Sequence, residues 1–422
     1  SHVRANPPEG TRGQGCPRSF PQRFMVPRRD RTHVRARRER ASVLVIVLWV
    51  AFGLVSIALY FGHSMFFEFR AADNTVAGIE AGHAIDGAAN YVAYMLTNAV
   101  ANGALEAGEM PDLQTYEREE VPLGDATFWL IGRGDQVLQP DTPWFGLVDE
   151  ASKLNLNTAT VDMLQALPRM TLQLAAAIID WRDTNSDVTA IGTIGGAETD
   201  TYSRLNPGYN CKNKDFETVE ELRLVFGATP EILYGEDYNR NGLLDWNEND
   251  ADLSPPIDNR DGRLDPGLFE HLTVYSRESN VRTNSEARIN VNDTDKAALT
   301  QLLQDKFQEA RGNEILQQVA GSAGEAGQAA QTQYRSLLQF YVQSRMTEDE
   351  FAQVEGDLTV TNLTSIAGLI NLNTASAAVL ACVPGIGSNK VDQIIGYRQS
   401  KGPNLRGLGW LNIGAANHSE IP

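Results

Sequence analysis

Residues 237–248 read Asp-Tyr-Asn-Arg-Asn-Gly-Leu-Leu-Asp-Trp-Asn-Glu. Asp237, Asn239 and Asn241 alternate along the chain, Gly242 follows, and Asp245 and Glu248 complete a twelve-residue frame. Hard oxygen donors at this spacing, with Gly at the sharp bend, suit a single Ca²⁺ in an EF-hand-type loop. Leu243 would offer its main-chain carbonyl and Glu248 both carboxylate oxygens. Asn at two ligand positions lowers the charge and weakens affinity, which a site outside the cytoplasm tolerates. A second acidic turn, Asp258-Asn259-Arg260-Asp261-Gly262-Arg263-Leu264-Asp265, offers Asp258, Asp261 and Asp265 as further ligands, one place out of register. The competing reading is a pair of Asx turns on a solvated loop. No clear helices flank the first loop, so calcium is expected to be structural, fixing a Gly- and Asp-rich segment in one shape.

One phrase occurs three times: Leu154-Asn155-Leu156-Asn157-Thr158-Ala159, Ile289-Asn290-Val291-Asn292 and Ile370-Asn371-Leu372-Asn373-Thr374-Ala375. Alternating Asn and aliphatic residues suit an extended segment buried on one side, with Asn or Thr capping the helix that follows. The third copy runs on into Pro384-Gly385-Ile386-Gly387, which resembles the turn of a helix-hairpin-helix unit. Gly385 and Gly387 are the positions at which such a turn could bring backbone N–H groups to a phosphate. The first copy has Pro168-Arg169-Met170-Thr171 there, without glycine, and the second shows no hairpin signal. The units therefore read as packing modules.

Other chemistry is sparse. There is no Walker loop, nucleophile elbow or HExxH helix, and the six His residues show no metal spacing. Asp180-Trp181-Arg182-Asp183 brings two carboxylates together, but nothing nearby completes a catalytic pair, so ion pairs at a helix end are expected. Cys211 and Cys382 could pair in an oxidising compartment or remain buried thiols.

The elements around these residues start with a membrane anchor. Residues 41–62 carry no charge over 22 positions. As a helix they reach about 33 Å, against a bilayer core of about 30 Å. Val43, Leu44, Leu48, Trp49 and Leu54 are its anchor residues, and Arg35, Arg37, Arg38 and Arg40 precede it. Basic residues before the span predict an N-in, C-out orientation, with the body in the periplasm of a Gram-negative cell. Residues 1–40 hold 11 Arg and three acids, a net of +8 within a chain of −18, so the remainder carries −26. A body this acidic argues against nucleic acid as a partner.

The expected organisation is a basic, unstructured leader (1–40), a transmembrane helix (41–63) and its amphipathic continuation (64–110). Ile85, Ala88, Val92, Met95, Ala99 and Val100 mark the apolar face of that continuation. First strands follow (111–153), including 126–132. Next come a helical insert with the calcium-type loops (154–270), a strand and helical segment (271–369) starting at 271–275, and a helix-hairpin-helix-like end (370–422). This is an α+β chain with a pilin-like antiparallel sheet interrupted by a large, mostly helical insert.

Several runs together resemble the K-type minor pseudopilins of bacterial type II secretion, the general secretion pathway protein K family. They are Arg40 to Trp49, Asp149 to Ala159, Asp180 to Asp183, Gly195-Gly196-Ala197-Glu198 with Tyr202, and Lys214 to Leu222. The likeness covers most of residues 36–400. It implies a non-enzymatic subunit of the inner membrane, joined to other minor pseudopilins at the tip of a short periplasmic filament that exports folded proteins. It also implies Ca²⁺ in the globular region and cleavage by prepilin peptidase between Ala41 and Ser42, where Ala41 stands in place of the usual Gly. Cleavage there would put Ile46 at the fifth mature position, where most pseudopilins carry a Glu that engages a neighbour. The rival reading is a membrane-tethered helix-hairpin-helix receptor for DNA, for which Lys390, Arg398 and Lys401 supply only a modest basic face.

Overall fold

A computed structural model describes residues 36–105, 109–133, 144–319, 333–401, 405, 407 and 410–411. The expected leader lies outside the described residues up to position 35. The chain forms two compact units, residues 1–80 and 81–422.

One helix of 66 residues, Ala36–Ala101, supplies the described part of the first unit and opens the second. No side chain from Val43 to residue 80 is buried. Val43, Leu44, Leu48, Trp49 and Leu54 are each more than half exposed on it. The helix is long and apolar enough to cross a membrane. Its backbone groups are paired along its own length, the condition for crossing lipid.

Within the second unit the helix turns one face inward through Ala84, Gly87, Ala88, Tyr91, Val92, Met95, Leu96 and Ala99. Ile85 and Val100, expected on this face, are instead 69% and 58% exposed. Ala88, Val92, Met95 and Ala99 lie on the face as expected, and the hairpin comes closest at Gly87. A Cβ on Gly87 would lie 2.3 Å from Leu123 Cδ2. The hairpin pairs Val121–Leu123 with Ala126–Phe128. Gly124 takes the left-handed φ of 65° that its two-residue turn requires. Tyr91 packs on Phe128 at 5.8 Å between rings, and its hydroxyl accepts from Glu117 N at 2.9 Å. The strand expected over 126–132 stops at Phe128; beyond it only Ile131 bridges, to Phe145.

Among the described residues the strands pair only in twos, three ladders antiparallel and two parallel. The two parallel ladders are alike. Leu154–Asn155 pairs with Leu272–Thr273, and Ile289–Asn290 pairs with Leu358–Thr359. Both partner strands belong to the sequence Leu-Thr-Val, at 272–274 and 358–360. Leu156 N donates to Thr273 O and Val291 N to Thr359 O, each at 2.8 Å. The stretch expected as a strand over 271–275 is thus two residues long, the closing strand of a duplicated unit. The third phrase attaches differently, with Asn371 N donating to Ala151 O at 2.8 Å.

All three phrases use their asparagines in one way. The first Asn accepts from the backbone N–H of the second, at 2.9, 2.9 and 3.1 Å for Asn155, Asn290 and Asn371. The second clamps both backbone groups of a distant residue. Asn157 Oδ1 accepts from Phe216 N at 2.8 Å while its Nδ2 donates to Phe216 O at 3.0 Å. Asn292 does the same to Tyr334 at 2.7 and 2.8 Å, and Asn373 to Leu405 at 3.2 and 2.8 Å. Contrary to expectation, the asparagines therefore do not cap the following helices. Thr160 and Ser376, just beyond the phrases, do so by accepting from Met163 N and Val379 N.

Each phrase leads into a helical hairpin. The first is Val161–Gln165 with Leu172–Arg182, where Arg169 takes the left-handed φ of 61° without glycine. The third is Ala377–Cys382 with Gly387–Lys401. The second copy has a hairpin too, which its sequence hid. The helix Ala297–Val319 breaks at Gln308, φ 68°. A Cβ on Gly312 would lie 3.0 Å from Gln304 N, whereas eight residues of straight helix span about 12 Å. The chain must double back, and Gln304 Nε2 donates across the bend to Asn313 Oδ1 at 3.0 Å. Helices Val161–Gln165 and Ala377–Cys382 pack on each other, and one hydrophobic core runs from Leu154 to Leu411.

Asn157→Ala strands a buried N–H and C=O on Phe216 and should cost about 2 kcal/mol of stability. Asn373→Ala should cost a similar amount through Leu405, and Asn239→Ala on the exposed loop markedly less. Thermal unfolding of the three variants checks the order.

Candidate functional site

The loop at 237–248 folds as a chain of side chain-to-backbone turns. Asp237 Oδ2 accepts from Gly242 N at 3.1 Å, and Gly242 has the left-handed φ of 71°. Asn239 Oδ1 accepts from Asn241 N and Asn241 Oδ1 from Leu243 N, at 2.9 and 2.7 Å. The amides of Asn239 and Asn241 both reach Asp245 Oδ2, at 2.7 and 3.0 Å. Glu248, buried, folds back to accept from Tyr238 N at 3.2 Å and Asp245 N at 3.1 Å. The residues expected to bind calcium are therefore drawn around one turn. Asp237 Oδ1 is buried with no hydrogen-bond partner. An orphaned carboxylate oxygen within an all-oxygen set fits a hard cation.

The second turn uses its acids on its own chain. Asp258 Oδ2 accepts from Asp250 N and Ala251 N, both at 2.9 Å, and Oδ1 from Arg260 N at 2.7 Å. Asp261 Oδ1 accepts from Arg263 N at 2.9 Å, and Asp265 pairs with Arg169 at 3.3 Å. These are Asx turns. Glu236, which the sequence did not single out, joins the two turns: it is buried and accepts from Asn259 N and Asp265 N at 3.2 and 3.0 Å.

Arg133 is the other residue missed. Its guanidinium lies 3.6 Å from Asp237 and donates to Glu270 at 2.8 Å. Burial pushes the carboxyls of Glu236, Asp237 and Glu248 above their ordinary range, against the N–H groups they accept from and, for Asp237, against Arg133. Among the described residues no three His, Cys, Asp or Glu side chains converge as a bound-metal set.

The hairpin glycines Gly385 and Gly387 take positive φ, 83° and 57°. The cations beside them are engaged within the fold. Lys390 Nζ donates to Gly385 O at 2.9 Å, and Arg398 to Leu372 O and Ala375 O at 2.9 and 2.7 Å. Arg182 makes the equivalent bonds in the first hairpin, to Leu156 O and Ala159 O. Arg182 thus serves the fold, and Asp180 is fully buried, where ion pairs at a helix end had been expected. Cys211 and Cys382 are buried free thiols.

Residues 150–234 match the family model described as Type II secretion system (T2SS), protein K. The chain carries a protein K domain. The match begins just before the first phrase, includes the first hairpin and the Phe216 clamp, and ends just before the 237–248 loop. Residues 366–404, around the third hairpin, match the helix-hairpin-helix motif. No curated protein matches the chain.

Beside the protein K domain, His271 leads into the strand that closes the first ladder. Burial, aided by the Lys153 cation, pushes its imidazole down to about 4. An unfolded His titrates near 6.5, so protonation favours the unfolded chain. Stability from this group should be complete above about pH 6.5 and fall by about 3 kcal/mol as the pH drops towards 4. The difference in unfolding free energy between wild type and His271→Leu, followed from pH 7.5 to 4.5 (roughly spanning that titration), reads this slope.

Proposed function

We propose that this protein is a minor pseudopilin of type II secretion: a non-enzymatic, single-pass subunit of the inner membrane with residues 81–422 in the periplasm. The observation that carries the reading is the protein K match over residues 150–234. The 66-residue amino-terminal helix supports it, with an uncharged stretch directly after an Arg cluster. On this reading the helix serves first as a membrane anchor and later as filament core. Prepilin peptidase cuts between Ala41 and Ser42. Ile46, in place of the Glu that engages a neighbouring subunit, suits a subunit with nothing ahead of it. The large body, too bulky for the side of a fibre, sits at the tip with the other minor pseudopilins, starting or capping assembly. A structural Ca²⁺ is held by Asp237, Asn239, Asn241, Leu243, Asp245 and Glu248.

The helix-hairpin-helix match favours a second reading, a tethered receptor for DNA. Against it, Lys390 and Arg398 are held by main-chain carbonyls, and the chain beyond residue 40 carries −26.

Full-length protein extracted in mild detergent should bring down other minor pseudopilins in stoichiometric amounts, identified by mass spectrometry. Recovery of DNA or DNA-uptake components in their place would overturn the assignment. Independently, Ca²⁺ should raise the melting temperature of wild type, and Asp237→Ala should abolish most of that rise; an unmoved wild-type melt removes the calcium from the reading.

A further inference from the structure

A cavity of about 320 Å³ lies at the base of the first parallel ladder, where Lys153 precedes one strand and Phe269 and Glu270 precede the other. Three cations line it, Arg133, Lys153 and Arg240, against one carboxylate, Glu270. The chain beyond residue 40 carries −26, so this lining is opposite in sign to the rest of the body. A recess lined mainly by one sign of charge raises the local concentration of the opposite sign. Ile131, Val148 and Phe269 give the same cavity an apolar wall.

The three cations are not held alike. Arg133 belongs to the fold: it donates to Glu270 at 2.8 Å and to Gly132 O at 3.1 Å, and lies 3.6 Å from Asp237. Lys153 pairs with Glu150 at 2.9 Å and Arg240 with Glu220 at 3.3 Å. Neither acid lines the cavity, and their side chains are 46% and 50% exposed. Ion pairs this exposed contribute little, so an incoming anion can take their place at small cost. The Arg240 guanidinium stands 5.3 Å over the centre of the Phe269 ring, which keeps it beside the apolar wall. Glu270, facing the same space, repels a second negative charge and so disfavours phosphate or a dicarboxylate.

We propose that this cavity binds a monocarboxylate with a compact aromatic or branched aliphatic body. Lys153 and Arg240 take the carboxylate, and the body lies against Ile131, Val148 and Phe269. Ligand cavities run from about 300 to 1,000 Å³, and this one is at the small end. It admits a free acid or the last residue of a peptide, not a longer segment. The binding is independent of the assembly proposed above.

Full-length protein in mild detergent, with Ca²⁺ present throughout, is titrated with phenylacetate and followed by saturation-transfer NMR. Phenylacetate should bind. Phenylacetamide, of the same shape without the charge, should not, and its signal reads partition into detergent. Arg240→Gln should weaken phenylacetate by about tenfold or more, because a charge-assisted contact is lost, and Arg240→Lys should restore most of it. Arg260→Gln removes another exposed arginine of left-handed φ, 54° against 59° for Arg240, and should change nothing. N-acetyl-glycyl-phenylalanine and its amide separate the two sources. Binding of the peptide acid but not its amide extends the site to chain ends, and binding of phenylacetate alone restricts it to free acids. Failure of both acids to bind, equal binding of phenylacetamide, or phenylacetate binding unchanged in Arg240→Gln overturns the site. The comparison of acid with amide uses the wild-type chain, so it decides even where a variant is destabilised.

Discussion

An asparagine side chain presents one acceptor and one donor at the spacing of a peptide group, so it can stand in for a neighbouring strand. Asn157, Asn292 and Asn373 do this to Phe216, Tyr334 and Leu405. The body depends on these three clamps. Its ladders are two or three residues long, far too short to hold layers together unaided. Each clamp fastens the far end of a helical module to its base while the aliphatic residues of the same phrase enter the core. Because the side-chain amides satisfy backbone groups that a wider sheet would pair, the strands stop where they do.

The same economy explains how a helix-hairpin-helix shape persists in so acidic a chain. Arg182 and Arg398 each span back to two carbonyls of their own phrase, and Lys296 donates to Val291 O in the second copy. Charges that a nucleic-acid-binding member would present outward here close the hairpin on itself. A shared fold does not by itself carry over a phosphate site. Duplication of the phrase and its Leu-Thr-Val partner builds two modules on one plan, and the third phrase closes onto the first through Asp149, which accepts from Asn371 Nδ2 and Thr374 Oγ1 at 2.8 and 2.6 Å.

Local signals in the chain were legible where the physics is local. The uncharged stretch from residue 41 forms a helix, and the glycines of the third hairpin take positive φ, where their patterns point. What escaped was long-range. Leu272-Thr273 pairs with a phrase 118 residues earlier, and Leu358-Thr359 with one 69 residues earlier. No local periodicity encodes either pairing. The second hairpin turns on Gln308, a residue with no turn signature, because close packing at Gly312 fixes the bend from outside it. Of the six residues expected on the inward face of the long helix, Ala88, Val92, Met95 and Ala99 lie on it, while Ile85 and Val100 face outward. Close approach selects small residues such as Gly87, whereas hydropathy weights large ones such as Ile85.

The two duplicated modules also treat acid differently. In the second, Glu350 is held down to about 2 by the Arg311 guanidinium, which donates to both its oxygens at 2.9 Å. That module neutralises its own carboxylate. In the first, Lys212 answers Glu221 at 2.8 Å, but Asp180, Glu198, Glu236 and Glu248 are buried and pushed the other way. The first module is also the longer, and its extra length carries the acidic turns between residues 237 and 265. That extra length also carries Arg240, Arg260 and Arg263, yet Glu236 and Glu248 are answered by main-chain N–H groups and not by these cations.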